Sequence, residues 1–256
     1  LGFFLHRQRN RAAGTLPEPI TSLTPEQTRL MVPVMAGYTG NLASLQNQAQ
    51  GGGFMTTVPD SDGVIRRSPL LMRFGNQLYP SLSLEMARVF LLAEGVELTM
   101  EPVGDNLALT GVQLAHLHLD TDARGNALVP YIGPRFSFPY VSATDVLSQQ
   151  VPEARLQNSL VLVGTSAQGL GDLVTTPTGT AYPGVEVHAS LLQGILNGRF
   201  AYTPDWAGGA NFLLLAVIGL FLAMVLPRLA PLALVLTALL ALAAVVGGNL
   251  ALWSWY

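Results

Sequence analysis

The sequence predicts an α/β (mixed α+β) domain over residues 1–205, followed by a two-helix transmembrane hairpin with spans at 206–226 and 232–252. Three observations predict it. Charge stops at Trp206: all 16 acidic residues and 12 of the 13 arginines precede it, and Arg228 alone follows. Two apolar runs of 21 residues each lie beyond that boundary. Ahead of it, an apolar strand, a Gly-rich loop and a helix follow one another between Leu160 and Asn197, the order of a βα unit.

The first run, Trp206–Leu226, holds fifteen residues from Phe212 to Leu226 without a charge or a side-chain amide. As a helix, 21 residues reach about 31 Å, the hydrocarbon thickness of a bilayer. The second run, Leu232–Leu252, is interrupted only by Thr237 and Asn249. A backbone in lipid must satisfy its own hydrogen bonds, and an ionised side chain there costs about 2.5–3.5 kcal/mol or more, so charge disappears where lipid begins. Core helices of a soluble protein are seldom so long and so uniformly apolar. The connection at 227–231, Pro-Arg-Leu-Ala-Pro, is a tight turn, so the spans run antiparallel. Arg228 makes that turn cytoplasmic by the positive-inside tendency, which places residues 1–205 outside the cell membrane. The cluster His6-Arg7-Gln8-Arg9-Asn10-Arg11 would argue the reverse if Leu1–Leu5 ended an upstream span; those five residues fit a buried strand equally well. Trp253, Trp255 and Tyr256 are the residue types that gather at a membrane–water interface.

Before Trp206, 12 arginines stand against 16 acids, a net of −4, against −3 for the whole chain once Arg228 is added. Such a balance excludes a nucleic-acid-binding surface and a polybasic lipid anchor. Lysine and cysteine are both absent. Their absence removes a P-loop, a thiolate zinc site, a cysteine nucleophile and any disulfide framework, and no cofactor or metal is expected. The chain starts without Met and stops at an interface-like Trp-Ser-Trp-Tyr, as expected of a piece of a longer protein.

Leu1–Leu5 reads as a buried strand, and 12–30, rich in Pro, Thr and Glu, as a connection. Gly51-Gly52-Gly53 reads as a loop or bulge. Phe54–Val58 and Val64–Phe74 flank the turn cluster Pro59-Asp60-Ser61-Asp62-Gly63 and read as an antiparallel hairpin. A helix starts at Pro80-Ser81, places Leu82, Met86, Val89, Phe90 and Ala93 on one face, and stops at Gly95. Leu107–Leu109, Val112–Leu119 and Ala127–Ile132 read as strands. Ser142-Ala143-Thr144-Asp145 has the spacing of a capping box and opens a short helix. Leu160–Gly164 is the clearest buried strand, and a helix from Gly184 to Asn197 is closed by Gly198.

The loop Gly164–Asp172 sits where α/β proteins bind ligands, at a strand's carboxyl end. It lacks both the P-loop lysine and the G-x-G-x-x-G spacing, so its glycines serve a tight connection. Ser166, His188 and Asp172 suggest a hydrolase. Yet the nucleophile elbow needs G-x-S-x-G, and Gln168 stands in place of the second glycine. His188 falls on the helix face that carries Val185 and Leu192, the position of a hydrogen-bonded core histidine. Asp60 and Asp62 resemble the start of a calcium loop, but its closing Glu position is Leu71. His116 and His118 alternate on one strand face without a third ligand in sequence. Arg66 and Arg67 are positioned to pair with Asp60 and Asp62 or with an anionic ligand.

Three stretches together resemble a known family. Pro59–Phe90 (PDSDGVIRRSPLLMRFGNQLYPSLSLEMARVF), Leu160–Asp172 (LVLVGTSAQGLGD) and Thr176–Leu196 (TPTGTAYPGVEVHASLLQGIL), followed by spans, are similar to the second type of CHASE domain, the cyclase- and histidine-kinase-associated extracellular sensory domain. The resemblance covers Leu1 to Pro204. It implies a periplasmic sensor of a bacterial signalling protein, preceded by a further span and followed by three, with a cytoplasmic output domain beyond. That output is commonly a nucleotide cyclase, sometimes a histidine or serine/threonine kinase. The region 206–256 is most similar to cyclase-linked members. A homodimer, an undefined small-molecule ligand and membrane lipid are the implied partners, and no catalytic residue carries over. Asp172, Pro177, Gly184 and His188 match recurrent positions; Asp172, His188, Arg66, Arg67 and Ser166 are the expected pocket residues. The rivals are a membrane-anchored hydrolase using Ser166 and His188, and a transporter accessory subunit.

Overall fold

In the computed structural model the described residues are 1–9, 11–166, 172–198, 200, 206–228 and 230–255, and the chain divides into two units, Leu1–Thr203 and Pro204–Tyr256. In the first unit the strands are β1 (Gly2–His6), β2 (Ala12–Ala13), β3 (Thr21–Ser22), β4 (Val34–Met35), β5 (Gly37–Thr39), β6 (Gly53–Phe54), β7 (Arg67–Pro69) and β8 (Leu71–Phe74). They continue with β9 (Gln77–Pro80), β10 (Glu97–Val103), β11 (Asn106–Leu114), β12 (Leu117–Asp120), β13 (Asn126–Leu128), β14 (Leu173–Thr176) and β15 (Gly179–Pro183). The helices are α1 (Ala43–Gln46), α2 (Leu82–Phe90), α3 (Ala143–Leu147) and α4 (Gly184–Asn197).

The class is mixed α and β, as the sequence predicts, but the sheets are small and mostly antiparallel. Their orders are β2–β5–β1–β6, β3–β9–β8–β4 and β10–β11–β12, with the pairs β7–β13 and β14–β15. In the first sheet β1 pairs antiparallel with β5 and parallel with β6, Phe3 lying opposite Phe54. Phe3 and Leu5 point inward while Phe4 is exposed, so β1 is buried on one face rather than two.

Helix α2 begins where Ser81 accepts the Leu84 amide on its hydroxyl at 3.2 Å. That bond satisfies one of the amides a helix start leaves free. Its deeply buried face is Ser83, Leu84, Glu85 and Ala87, not the predicted Leu82–Met86–Val89–Phe90 stripe, which is partly or fully exposed. Ser83 and Ala87 stand one turn apart and are small, so they let α4 come close. Glu85 is kept near neutral company by Arg88, which donates to both its oxygens at 2.8 Å. Helix α4 ends at Gly198, which takes the left-handed conformation at φ 60°, as the sequence predicts.

One core lies among α2, α4 and the sheet β10–β11–β12, built on Leu70, Leu71, Leu84, Leu109, Val112, Leu119, Leu191 and Ile195. A second joins Phe3, Leu5, Phe54, Met72 and Tyr79. The rings of Phe3 and Tyr79 meet edge to face at 5.7 Å.

Several elements differ from the sequence reading. The hairpin forms between β8 and β9 around Gly75-Asn76, not across residues 59–63. Phe54 pairs instead with Phe3, and Val64 bridges to Thr175. A turn does form at 60–63, with the Gly63 amide on the Asp60 carbonyl at 2.9 Å, but it joins no two strands of one ladder. Val112–Leu119 is broken at Ala115, whose φ is 50°, so β11 and β12 are two arms of a hairpin. Leu160–Gly164 is the largest correction: it is extended chain outside every sheet, with Val161 54% and Val163 90% exposed. β-Branched residues favour a pleated, half-buried surface, but a strand also needs a ladder partner. Each long edge of β1 is already taken, by β5 and by β6. The expected βα unit is therefore absent, and α4 is entered from the antiparallel pair β14–β15.

In the second unit α5 spans Ala207–Val225 and α6 spans Pro231–Trp255, with a 3-10 turn at Leu226–Arg228. The segment Gly208–Arg228 is long and apolar enough to cross a membrane, with mean hydropathy 2.5 and none of it buried. Helix α6 begins at Pro231, inside the predicted turn, and carries a shorter apolar run at Val235–Ala251.

Gly51 and Gly52 lie in a loop, as the sequence predicts, and Gly53 opens β6. A Cβ on Gly51 would meet the Glu85 carboxylate, on Gly52 the Pro17 ring, and on Gly53 the backbone of Ser81 and Leu82. Gly51 and Gly53 let the chain pass directly against the start of α2. Backbone cannot move aside as a side-chain tip does, so Gly53→Ala is expected to cost about 1–3 kcal/mol. Gly95→Ala, in open space, should be near neutral. Denaturant unfolding of the two variants in detergent checks the difference.

Candidate functional site

The predicted pocket residues fall in three separate places. Arg66 and Arg67 follow the Asp60–Gly63 turn, and the turn uses them. Arg66 donates to Asp60 at 3.1 Å and to Asp62 at 2.7 Å; Arg67 lies 3.5 Å from Asp60 and 3.5 Å from Asp122. Hydrogen bonds from Arg66 hold the Asp62 carboxyl down at about 2. Asp122 is further fixed by the Arg124 and Asn126 amides at 2.9 and 3.0 Å. Two guanidiniums against three carboxylates leave the cluster with a net negative charge, so it holds loops together and offers nothing to an anion.

His188 is 5% exposed, within the contact of α2 and α4. Its Nδ1 lies 3.5 Å from the Ser83 hydroxyl, which donates to the His188 carbonyl at 2.9 Å. Burial holds its pKa below the usual imidazole value, with the Met55 backbone pulling more weakly the other way. This is the hydrogen-bonded core histidine expected from its spacing. A general base for Ser166 would need that hydroxyl within about 3.2 Å, but His188 faces Ser83 and Met55. The geometry offers the hydrolase no support.

Asp172 sits at the start of α4. Its carbonyl accepts the Gly184 amide at 2.8 Å, and its carboxylate fills the space where a Gly184 side chain would stand. Burial raises its pKa above the ordinary carboxylate range. Ser166 is half-buried at the end of a described stretch, and 167–171, with the Gly-rich loop, lie outside the described residues. Gly164 packs against the Val185 side chain in the first turn of α4. His116 lies in the β11–β12 turn and His118 on β12, 3.4 Å from Asp120, so the two imidazoles do not share a strand face.

Sequence reasoning passed over Glu186. It is 2% exposed, and its carboxylate accepts the Phe136 amide at 2.9 Å and the Phe138 amide at 3.4 Å. Burial, then the Glu186 charge, pushes the Tyr140 hydroxyl up to about 12. A carboxylate in an otherwise apolar helix turn was the available signal. Glu186 pins residues 136–140 to α4, a holding role rather than a chemical one.

Two measurements test these roles. The folded state keeps His188 neutral, so its contribution is present above the unfolded imidazole pKa of about 6.5 and is lost as pH falls below it. The thermal midpoint should drop between pH 7 and 5, and His188→Gln should flatten that slope; an unchanged slope contradicts the assignment. Glu186→Ala should lower stability by about 2–3 kcal/mol, the worth of hydrogen bonds to a buried charge. It should also speed tryptic cleavage after Arg135, beside the released amides.

A family model for the CHASE2 domain matches residues 5–224. Comparisons with curated proteins and with solved structures give no match. The matched range takes in the whole first unit but its first four residues, and it runs on into α5. The chain therefore belongs to the CHASE2 family, whose domain is an extracellular sensor of signal-transduction proteins.

Proposed function

We propose that residues 1–205 are the extracytoplasmic ligand-sensing part of a bacterial membrane signalling protein. In this reading the spans at 206–226 and 232–252 form a hairpin that carries the signal to a cytoplasmic adenylate or guanylate cyclase domain. The observation that carries it is the pairing of a CHASE2 sensor with an apolar 21-residue segment, Gly208–Arg228, that finds no cover in the chain. A cyclase is favoured over a histidine or serine/threonine kinase because residues 206–256 resemble cyclase-linked relatives. The protein works as a homodimer, since such outputs act in pairs. A ligand shifts the sensor only by binding one of its arrangements more tightly than the other, and the spans transmit that difference in free energy.

The chain has no cysteine, so a single introduced thiol reports topology cleanly. Asp105→Cys lies in the exposed β10–β11 turn, and Ala230→Cys lies between α5 and α6. An impermeant maleimide should label the first in intact spheroplasts and the second only after lysis. Labelling in the opposite order removes the sensor reading.

A further inference from the structure

β1 and β6 run parallel, so their carboxyl ends emerge on the same side of the sheet. That is the place where open α/β sheets bind ligands. The ladder is interrupted there by one side chain. The Thr56 hydroxyl accepts the Leu5 amide at 2.8 Å and donates to the Leu5 carbonyl at 3.0 Å, occupying both groups that another rung would use. Beyond Thr56 the two chains part around a cleft of about 530 Å³, within the range of small-molecule sites.

The cleft is lined by the polar side chains of His6, Arg7, Arg11 and Thr57 and by Val58 and Pro59, with the buried Leu5 and Met35 beneath. No acidic residue lines it. Arg66, Arg67 and Arg88 meet carboxylates; Arg7 and Arg11, like the other described arginines of this unit, form no ion pair. Their backbone is nonetheless held in place. The Ala36 amide donates to the His6 carbonyl at 2.8 Å and the Tyr38 amide to the Arg11 carbonyl at 2.6 Å, so both ends of the arginine loop are tied to β5 or its approach. Gly37 makes this possible: a Cβ there would collide with the carbonyls of Gln8 and Arg11.

Two guanidiniums among the lining residues, with no carboxylate there, give the cleft a positive charge that an oxyanion neutralises. Their planar donor forks match carboxylate and phosphate oxygens. We propose that this cleft is a binding site for a small organic anion, with its carboxylate or phosphate head on Arg7 and Arg11 and its apolar part against Val58 and Pro59. Only the statement that this anion is the sensor's stimulus rests on the function proposed above.

The test uses the full chain in phosphatidylcholine nanodiscs with phenylphosphate as probe. Phenylphosphate should raise the thermal midpoint, inorganic phosphate should do so more weakly, and the cation benzamidine should not. Arg7→Gln and Arg11→Gln should each weaken the phenylphosphate response by about tenfold or more, as expected for loss of a charge-assisted bidentate contact. Arg155→Gln, on an exposed turn away from the cleft, should leave it unchanged. Both cleft arginines are exposed, so without probe their variants should unfold as the parent does. An absent response to phenylphosphate, or one that both arginine variants retain, overturns the proposal. A third arm replaces part of the phosphatidylcholine with phosphatidylglycerol. If that change alone gives an arginine-dependent shift while phenylphosphate gives none, the arginines meet lipid headgroups and the proposal falls. Binding in nanodiscs does not depend on topology, so its failure is distinguishable from that of thiol labelling.

Discussion

The contact between α2 and α4 is the constraint from which the rest of the first unit follows. Small side chains at Ser83 and Ala87 allow the approach, and the Ser83 hydroxyl donates to the His188 carbonyl across it. On its other side α2 is met by Gly51 at Glu85 and by Gly53 at the backbone of Ser81 and Leu82, and Phe54 bridges directly to Ser81. So α2 fixes β6, β6 fixes β1 in parallel register, and β1 delivers the arginine loop to the cleft. Each step is a close backbone approach rather than a generic apolar contact. Single-atom additions at Gly53 or Gly37 would therefore act far from where they are made.

Charge is divided in the same deliberate way. The first unit is acidic overall, yet five of its carboxylates are engaged locally: Asp60, Asp62 and Asp122 on Arg66 and Arg67, Glu85 on Arg88, Glu186 on two backbone amides. Arg73 is spent on the Thr28 carbonyl. What remains unneutralised around the cleft is positive. Net charge, at −3 for the chain, gave no hint of this, because a sum over residues does not see which charges are paired.

Local signals were legible and long-range ones were not. Ser81 and Ser142 cap the helices the sequence assigned to them, and Gly198 closes α4, since each acts within a turn of its own position. The burial of His188 followed from helical spacing alone. By contrast, Leu160–Val163 has the composition of a core strand but no ladder to join, and no local pattern reports whether a partner edge is free. The glycine triplet and the pairing of Phe54 with Phe3 depend on elements far apart in the chain. The charged run at His6–Arg11 was legible only as a hint of membrane orientation. Its place in a cleft required the register between β1 and β6, some fifty residues apart.

The second unit obeys a different balance. Phe212, Leu213, Leu214, Leu215, Val217, Ile218, Leu220 and Phe221 on α5 are all at least 45% exposed. Burying a side chain of this kind is worth about 1.5–3 kcal/mol, so eight of them half-covered forgo roughly 6–12 kcal/mol. That sum rivals the entire stability of an ordinary domain. In the function proposed above, that surface meets an apolar surround along its length. A bilayer supplies one of matching thickness, and it also explains why the deficit starts just where charge leaves the sequence. The first unit exposes large apolar side chains too, Leu42, Leu92, Leu147 and Val163 among them, but on separate elements rather than along one helix. In that reading the boundary near Trp206 is a change of solvent, written in the chain as a change in what its side chains require.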